Sequence, residues 1–174
     1  IIVEPGGVLT ISGVTGTPKT TLKGITSCYD CNSSNNFNSA MWEGIEVWGN
    51  PTLKQTYNAA NTNQGYLYLS GGAVLQDMIK GVSADKTVYA NHPDTRVFQG
   101  YPSNEGSFGG GVIRIATANG AKFLNNLYSI TLSTYTGTNT NFTALSQCNF
   151  NNATFQNNAY LKDKDLVDSI GTKL

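Results

Sequence analysis

The sequence predicts an all-β chain whose short parallel strands stack as a solenoid, and three observations predict it. A pattern recurs: Gly65-Tyr-Leu-Tyr-Leu-Ser leads into Gly72-Ala-Val-Leu-Gln-Asp and Lys80-Gly-Val-Ser, and Gly111-Val-Ile-Arg-Ile-Ala leads into Gly120-Ala-Lys-Phe-Leu-Asn and Tyr128-Ser-Ile-Thr. A unit of about twenty residues with three short strands cannot bury its own apolar face, but stacked copies can. The composition agrees. With 20 asparagines, 20 threonines and 19 glycines, the chain suits many turns, where Gly and Asn accept positive φ and Thr suits the pleat. Finally, no window carries apolar residues at i, i+3, i+4 and i+7 through a full helix.

The elements follow in order. Ile1–Val3 and Val8–Ser12 read as strands of a first coil, separated by the Pro5-Gly6-Gly7 corner. Residues 14–40 are turn-rich, with a strand expected at Thr21–Ile25 and a loop at 26–40. Glu43–Trp48 reads as a strand, followed by a polar loop over 50–64. Tyr66–Leu69, Ala73–Leu75 and Lys80–Ser83 form the next coil, and 85–110 is a long excursion rich in Pro, Asn, Gly and Tyr. Val112–Ala116, Ala121–Leu124 and Ser129–Ser133 make the following coil. Another begins near Phe142, with Cys148–Phe150 at a corner and Thr154–Phe155 in a strand. The Asn-Asn pairs at 125–126, 151–152 and 157–158 suit corners that need a left-handed backbone and allow amide ladders. The whole of 1–174 reads as one domain, expected to be a piece of a longer chain because no polar cap is visible at either end.

Charge and apolar runs exclude some functions. Eleven basic residues balance eleven acidic ones, and a nucleic-acid surface would need a basic excess. No stretch approaches eighteen apolar residues, so no membrane-spanning helix is expected. No cofactor motif is present.

The string Ile-x-Val-x-Pro-Gly-x-x-Leu-x-Ile-x-Gly, then Met41-Trp-Glu-Gly-Ile-Glu-Val-Trp-Gly49, then Gly-x-Leu-x-Leu-x-x-Gly-Ala, resembles large secreted surface proteins of Bacteroidota. The resemblance covers most of the chain, apart from 50–64 and 85–110. It implies a right-handed parallel β-helix of the pectate-lyase-like type, here with about four to five coils. It further implies a secreted or cell-surface location, a type IX secretion route, and adhesin-like or carbohydrate-active roles.

Alternation then sorts inside from outside. Ile45 and Val47, Leu67 and Leu69, and Ile113 and Ile115 are expected to stack as buried ladders, with coils about 4.8 Å apart. Glu46, Tyr68 and Arg114 then face outward, in that order along one face, flanked by Trp48, Tyr66 and Trp42. An acid, aromatics and a base on one flat sheet could stack against sugar rings of a surface polysaccharide. The plainer reading is aromatic residues on a covered sheet.

The competing class is a polysaccharide lyase or glycoside hydrolase of the β-helix type. A hydrolase needs clustered carboxylates, yet Glu43 and Glu46 are three apart, and Asp163, Asp165 and Asp168 lie in a polar tail beside lysines. A lyase needs a base such as Arg114, for which only Glu46 is an acidic neighbour. Asn91-His92-Pro93-Asp94-Thr95-Arg96 packs His, Asp and Arg into one loop of turn-forming composition. The CxxC at Cys28 and Cys31 lies in an Asn/Ser-rich loop, outside the helix-start context of a redox motif. It can be a loop-stapling disulfide or a pair of thiols. His92 is the single histidine, so zinc lacks a second ligand pair. Cys148 is expected to pack as a small apolar residue.

Overall fold

The computed structural model describes residues 1–13, 19–24, 41–50, 55, 63–79, 81–84, 109–132 and 148–157. All regular structure among them is strand: β1 (Ile2–Val3), β2 (Val8–Ser12), β3 (Thr21–Lys23), β4 (Ile45–Val47), β5 (Tyr66–Ser70), β6 (Ala73–Gln76), β7 (Val82–Ser83), β8 (Val112–Ile115), β9 (Ala121–Leu124), β10 (Ile130–Thr131) and β11 (Ala153–Gln156). They pair in parallel into three sheets, ordered β1-β4-β7-β10, β2-β5-β8 and β3-β6-β9-β11. Successive strands therefore visit the first, second and third sheet in turn, then return to the first. Only after β10 does the second sheet receive a single bridging residue, Asn149 opposite Arg114, in place of a strand.

Of the strands that are shorter than the alternating pattern predicts, two have a clear backbone reason. Gly44 has φ +116° and Gly81 has φ +69°, so the extended conformation breaks there. β4 thus begins at Ile45, leaving Glu43 exposed at a corner, and β7 begins at Val82.

Period-two alternation decides the core. In the second sheet Leu9, Leu67 and Ile113 share one interior row, and Ile11, Leu69 and Ile115 the next. The third sheet lines up Leu22, Leu75, Phe123 and Phe155, beside Ala73, Ala121 and Ala153. The first contributes Ile45, Val82 and Ile130, with Val3 opposite Val47. All six aliphatic side chains expected inside at 45, 47, 67, 69, 113 and 115 are buried. Each such side chain contributes roughly 1.5–3 kcal/mol of burial. The row in the third sheet ends in an offset aromatic pair, Phe123 and Phe155, with centroids 5.1 Å apart and planes 17° from parallel. Cys148 packs half-buried against this core, but not as an apolar group alone: its Sγ accepts from the Ile113 amide at 3.4 Å and donates to the Gly111 carbonyl at 3.6 Å.

Their expected stacking partners differ, however. Ile45 and Val47 belong to the first sheet and pair with β1 and β7; Leu67 and Leu69 lie in the second. Consecutive strands are separated by a corner, so they turn away from each other, and strands stack only after a full circuit of three sheets.

The corners use the residues that tolerate a left-handed backbone. Asp77, Asn119, Asn125 and Asn152 have φ between 52° and 61°, where asparagine and aspartate are the favoured non-glycine residues. The Asn-Asn pairs do more than turn. Asn126, 1% exposed, accepts from the Met78 amide through Oδ1 at 2.8 Å and donates through Nδ2 to the Leu75 carbonyl at 3.2 Å. Asn157 repeats the motif one rung on, accepting from Asn126 N at 3.2 Å and donating to Asn126 O at 3.0 Å. Asn126→Ala should therefore cost about 1–3 kcal/mol, because it strands a buried amide and a buried carbonyl. Urea denaturation checks this; an unchanged midpoint would show that the ladder is idle.

Candidate functional site

On the second sheet the interior rows force the intervening residues outward. Thr10, Tyr68 and Arg114 pair directly across β2, β5 and β8, and Asn149 bridges to Arg114. These four form one ladder along the stacking direction, with Tyr68 and Arg114 on adjacent rungs about 4.8 Å apart. Tyr68, Arg114 and Asn149 are half-buried, and Thr10 is exposed. Beside it runs a hydroxyl pair: Ser70 Oγ donates to Ser12 Oγ at 3.0 Å. Thr20 Oγ1 donates to the Ser12 carbonyl at 2.7 Å, tying the corner beyond β2 to the sheet.

Glu46 is not on this face. It lies on β4 in the first sheet, opposite Ile2 and Ser83, and its Oε2 accepts from Trp48 Nε1 at 2.7 Å. The expected acid–aromatic–base series, with Tyr68 midway between Glu46 and Arg114, is thereby corrected. β4 and β5 carry the same alternation but occupy different sheets, because a corner separates them.

The flanking aromatics are corrected too. Trp48 is 2% and Tyr66 8% exposed, so neither offers an open ring face. Tyr66 sits in the outward row with Val8 and Val112, at the end of the sheet where polar side chains close the corner. There Gln55 Nε2 donates to the Gly110 and Gly111 carbonyls at 2.9 and 3.0 Å. Gln64 Oε1 accepts from Asn50 N at 2.9 Å, and its Nε2 donates to Asn50 O at 3.2 Å. Both glutamines are buried. Trp42 is half-buried, with Nε1 donating to the Gln76 carbonyl at 2.7 Å. Of the aromatics expected on the face, Tyr68 is the one on the open part of the second sheet.

Sequence reasoning missed Thr10, Ser12, Ser70 and Asn149. The signal for the first three was available in the aligned glycines: Gly7-Val-Leu-Thr-Ile-Ser, Gly65-Tyr-Leu-Tyr-Leu-Ser and Gly111-Val-Ile-Arg-Ile-Ala superpose residue for residue. Asn149 had no such flag. Cys28, Cys31 and the Asn91–Arg96 cluster lie outside the described residues. Among those described, no group of three or more His, Cys, Asp or Glu could hold a metal ion, and no helix is long and apolar enough to cross a membrane.

No family model, curated protein or solved structure matches the chain. The site is therefore read from its own geometry.

Proposed function

We propose that the chain is a segment of a right-handed parallel β-helix from an extracellular bacterial surface protein, acting as a structural and adhesive module that contacts glycans through the Tyr68 face. The observation that carries the reading is the cyclic order in which the strands visit three parallel sheets. Each return to a sheet is a parallel crossover, and such connections are right-handed in about 98% of cases. The low charge fraction of 13% and the wealth of asparagine support a secreted or surface location, as does the resemblance to Bacteroidota surface proteins. Its partners are then neighbouring domains of the same longer chain and surface polysaccharide.

The carbohydrate-active enzyme has less support. Glu43 is exposed at a corner and Glu46 is bonded to Trp48, so these two carboxylates do not converge on the Tyr68 face.

A single stacking ring sets a modest affinity. Binding should be millimolar, about 4 kcal/mol, and Tyr68→Ala should abolish it in a polysaccharide titration followed by calorimetry. Unchanged binding in Tyr68→Ala would move the contact elsewhere. Absence of binding to every polysaccharide tried would leave the scaffold role only.

A further inference from the structure

We propose that Asn119-Gly120 is a self-modifying corner, at which the Gly120 amide nitrogen attacks the Asn119 side chain and turns it into aspartyl and isoaspartyl forms. The modification needs no ligand and is independent of the glycan-contact reading. It arises because two demands of the fold meet at one dipeptide.

The first demand is the turn. Asn119 has φ +54°, a left-handed conformation that selects glycine, asparagine or aspartate. The second is the approach of the next rung. A β-carbon on Gly120 would run into the Asn152 carbonyl oxygen, so glycine stands at 120. With no side chain on the second residue, nothing shields the asparagine amide from the following backbone nitrogen. Asn-Gly occurs once in the chain. The register aligns Ala73, Ala121 and Ala153, so the equivalent corners are Gly71-Gly72 one rung before and Asn151-Asn152 one rung after. The former has no side-chain amide, and the latter has a β-carbon at its second position.

Hydrogen bonding separates the corners further. Among the described residues, Asp77, Asn119, Asn125 and Asn152 are the non-glycine residues with positive φ. After Asp77, the Met78 amide donates to Asn126 Oδ1 at 2.8 Å. After Asn125, the Asn126 amide donates to Asn157 Oδ1 at 3.2 Å. After Asn152, the Ala153 amide donates to the Phe150 carbonyl at 3.2 Å. The Gly120 amide donates to no group among the described residues, and Asn119 is exposed. The nucleophile is held back at three corners and available at the fourth.

The step balances without a cofactor. The Gly120 nitrogen bonds to Asn119 Cγ as its proton passes through water to the departing amide. The Cγ–Nδ2 bond breaks, ammonia leaves, and a cyclic imide remains. One water then opens either imide carbonyl. Opening on one side gives aspartate at 119; opening on the other carries the main chain through the side chain, one methylene longer. Both products add a carboxylate to the corner. The longer form has little room, because the Gly120 carbonyl accepts from the Gly72 amide at 3.0 Å and its Cα lies against the Asn152 carbonyl. The isoaspartyl chain therefore loosens β9 from both neighbouring rungs.

The test incubates the folded chain at mildly acidic and mildly alkaline pH. Peptides are then mapped by mass spectrometry, and isoaspartate is detected with its specific methyltransferase. Conversion at Asn119 should outpace that at Asn125 and Asn152, release ammonia, and run faster in alkali, where the amide nitrogen loses its proton more readily. Asn119→Gly recreates the Gly71-Gly72 corner, so it should fold and lose this conversion. Urea frees the Asn126 and Ala153 amides, so the lead of Asn119 over Asn125 and Asn152 should narrow there. The isoaspartyl fraction should unfold at a lower urea midpoint than the unconverted chain. Conversion at Asn119 no faster than at Asn125 or Asn152 in the folded chain would overturn the proposal, as would conversion confined to urea. An unchanged midpoint in the isoaspartyl fraction would overturn the loosening of β9. Should Asn119→Gly fail to fold by circular dichroism, the order of conversion in the wild type decides.

Discussion

Leu69→Asp should leave the chain unfolded at room temperature, with the β signal lost in circular dichroism. Leu69 is 0% exposed and lies between Ile11 and Ile115 in the interior row of the second sheet. Removing the leucine alone would cost about 2–5 kcal/mol. Placing a carboxylate there adds the penalty of an unpaired buried charge, which exceeds that figure unless the group neutralises. Against a total stability of about 5–15 kcal/mol, the sum removes the folded state. Tyr68→Asp, one residue away but facing outward, should fold. If the two variants behaved alike, the inside and outside of β5 would be wrongly assigned.

Gly71→Ala should be strongly destabilising, costing about 2–5 kcal/mol in urea denaturation. Two effects add. Gly71 has φ +63°, which costs an L-residue about 1–2 kcal/mol. Its new Cβ would also run into the backbone carbonyl oxygen of Gly13, and Gly13 bears the mirror relation to the Gly71 carbonyl. Neither strand can retreat, since β2 and β5 pair just before this corner along their full length. Gly72→Ala separates the two effects. Its φ is +76°, but its nearest neighbours are side-chain atoms of Lys19 at 3.3 Å, which can move. That variant should lose only the conformational part, about 1–2 kcal/mol. Equal losses at both positions would mean that backbone strain, rather than the close approach of the rungs, demands glycine.

Much of this is legible in the sequence. Alternation in Tyr66–Leu69 and Val112–Ala116 placed Leu67, Leu69, Ile113 and Ile115 inside, because a strand's parity is a property of its own residues. The glycine and asparagine corners were legible for a similar reason: a left-handed backbone is a local demand that few residues meet. The error concerned neighbours. Ile45-Glu-Val-Trp48 reads like Leu67-Tyr-Leu69, and that likeness alone puts Glu46 on the face with Tyr68 and Arg114. Local pattern says which way a side chain points and nothing about which sheet the strand has joined.

The sequence by itself determined that the chain is built of short strands, which residues of each strand face inward, and where the backbone turns. Each of these follows from steric and hydrophobic preferences acting over a few residues. The tertiary structure alone decided that β2, β5 and β8 form one sheet while β4 joins another, so that Arg114 adjoins Tyr68 and Glu46 bonds to Trp48 instead. It likewise buried Trp48 and Tyr66 at a corner closed by Gln55 and Gln64. Those outcomes depend on contacts between residues far apart in the chain. Excursions of any length can separate two rungs without altering the pattern inside either, so the pairing is chosen only when the assembled core is packed.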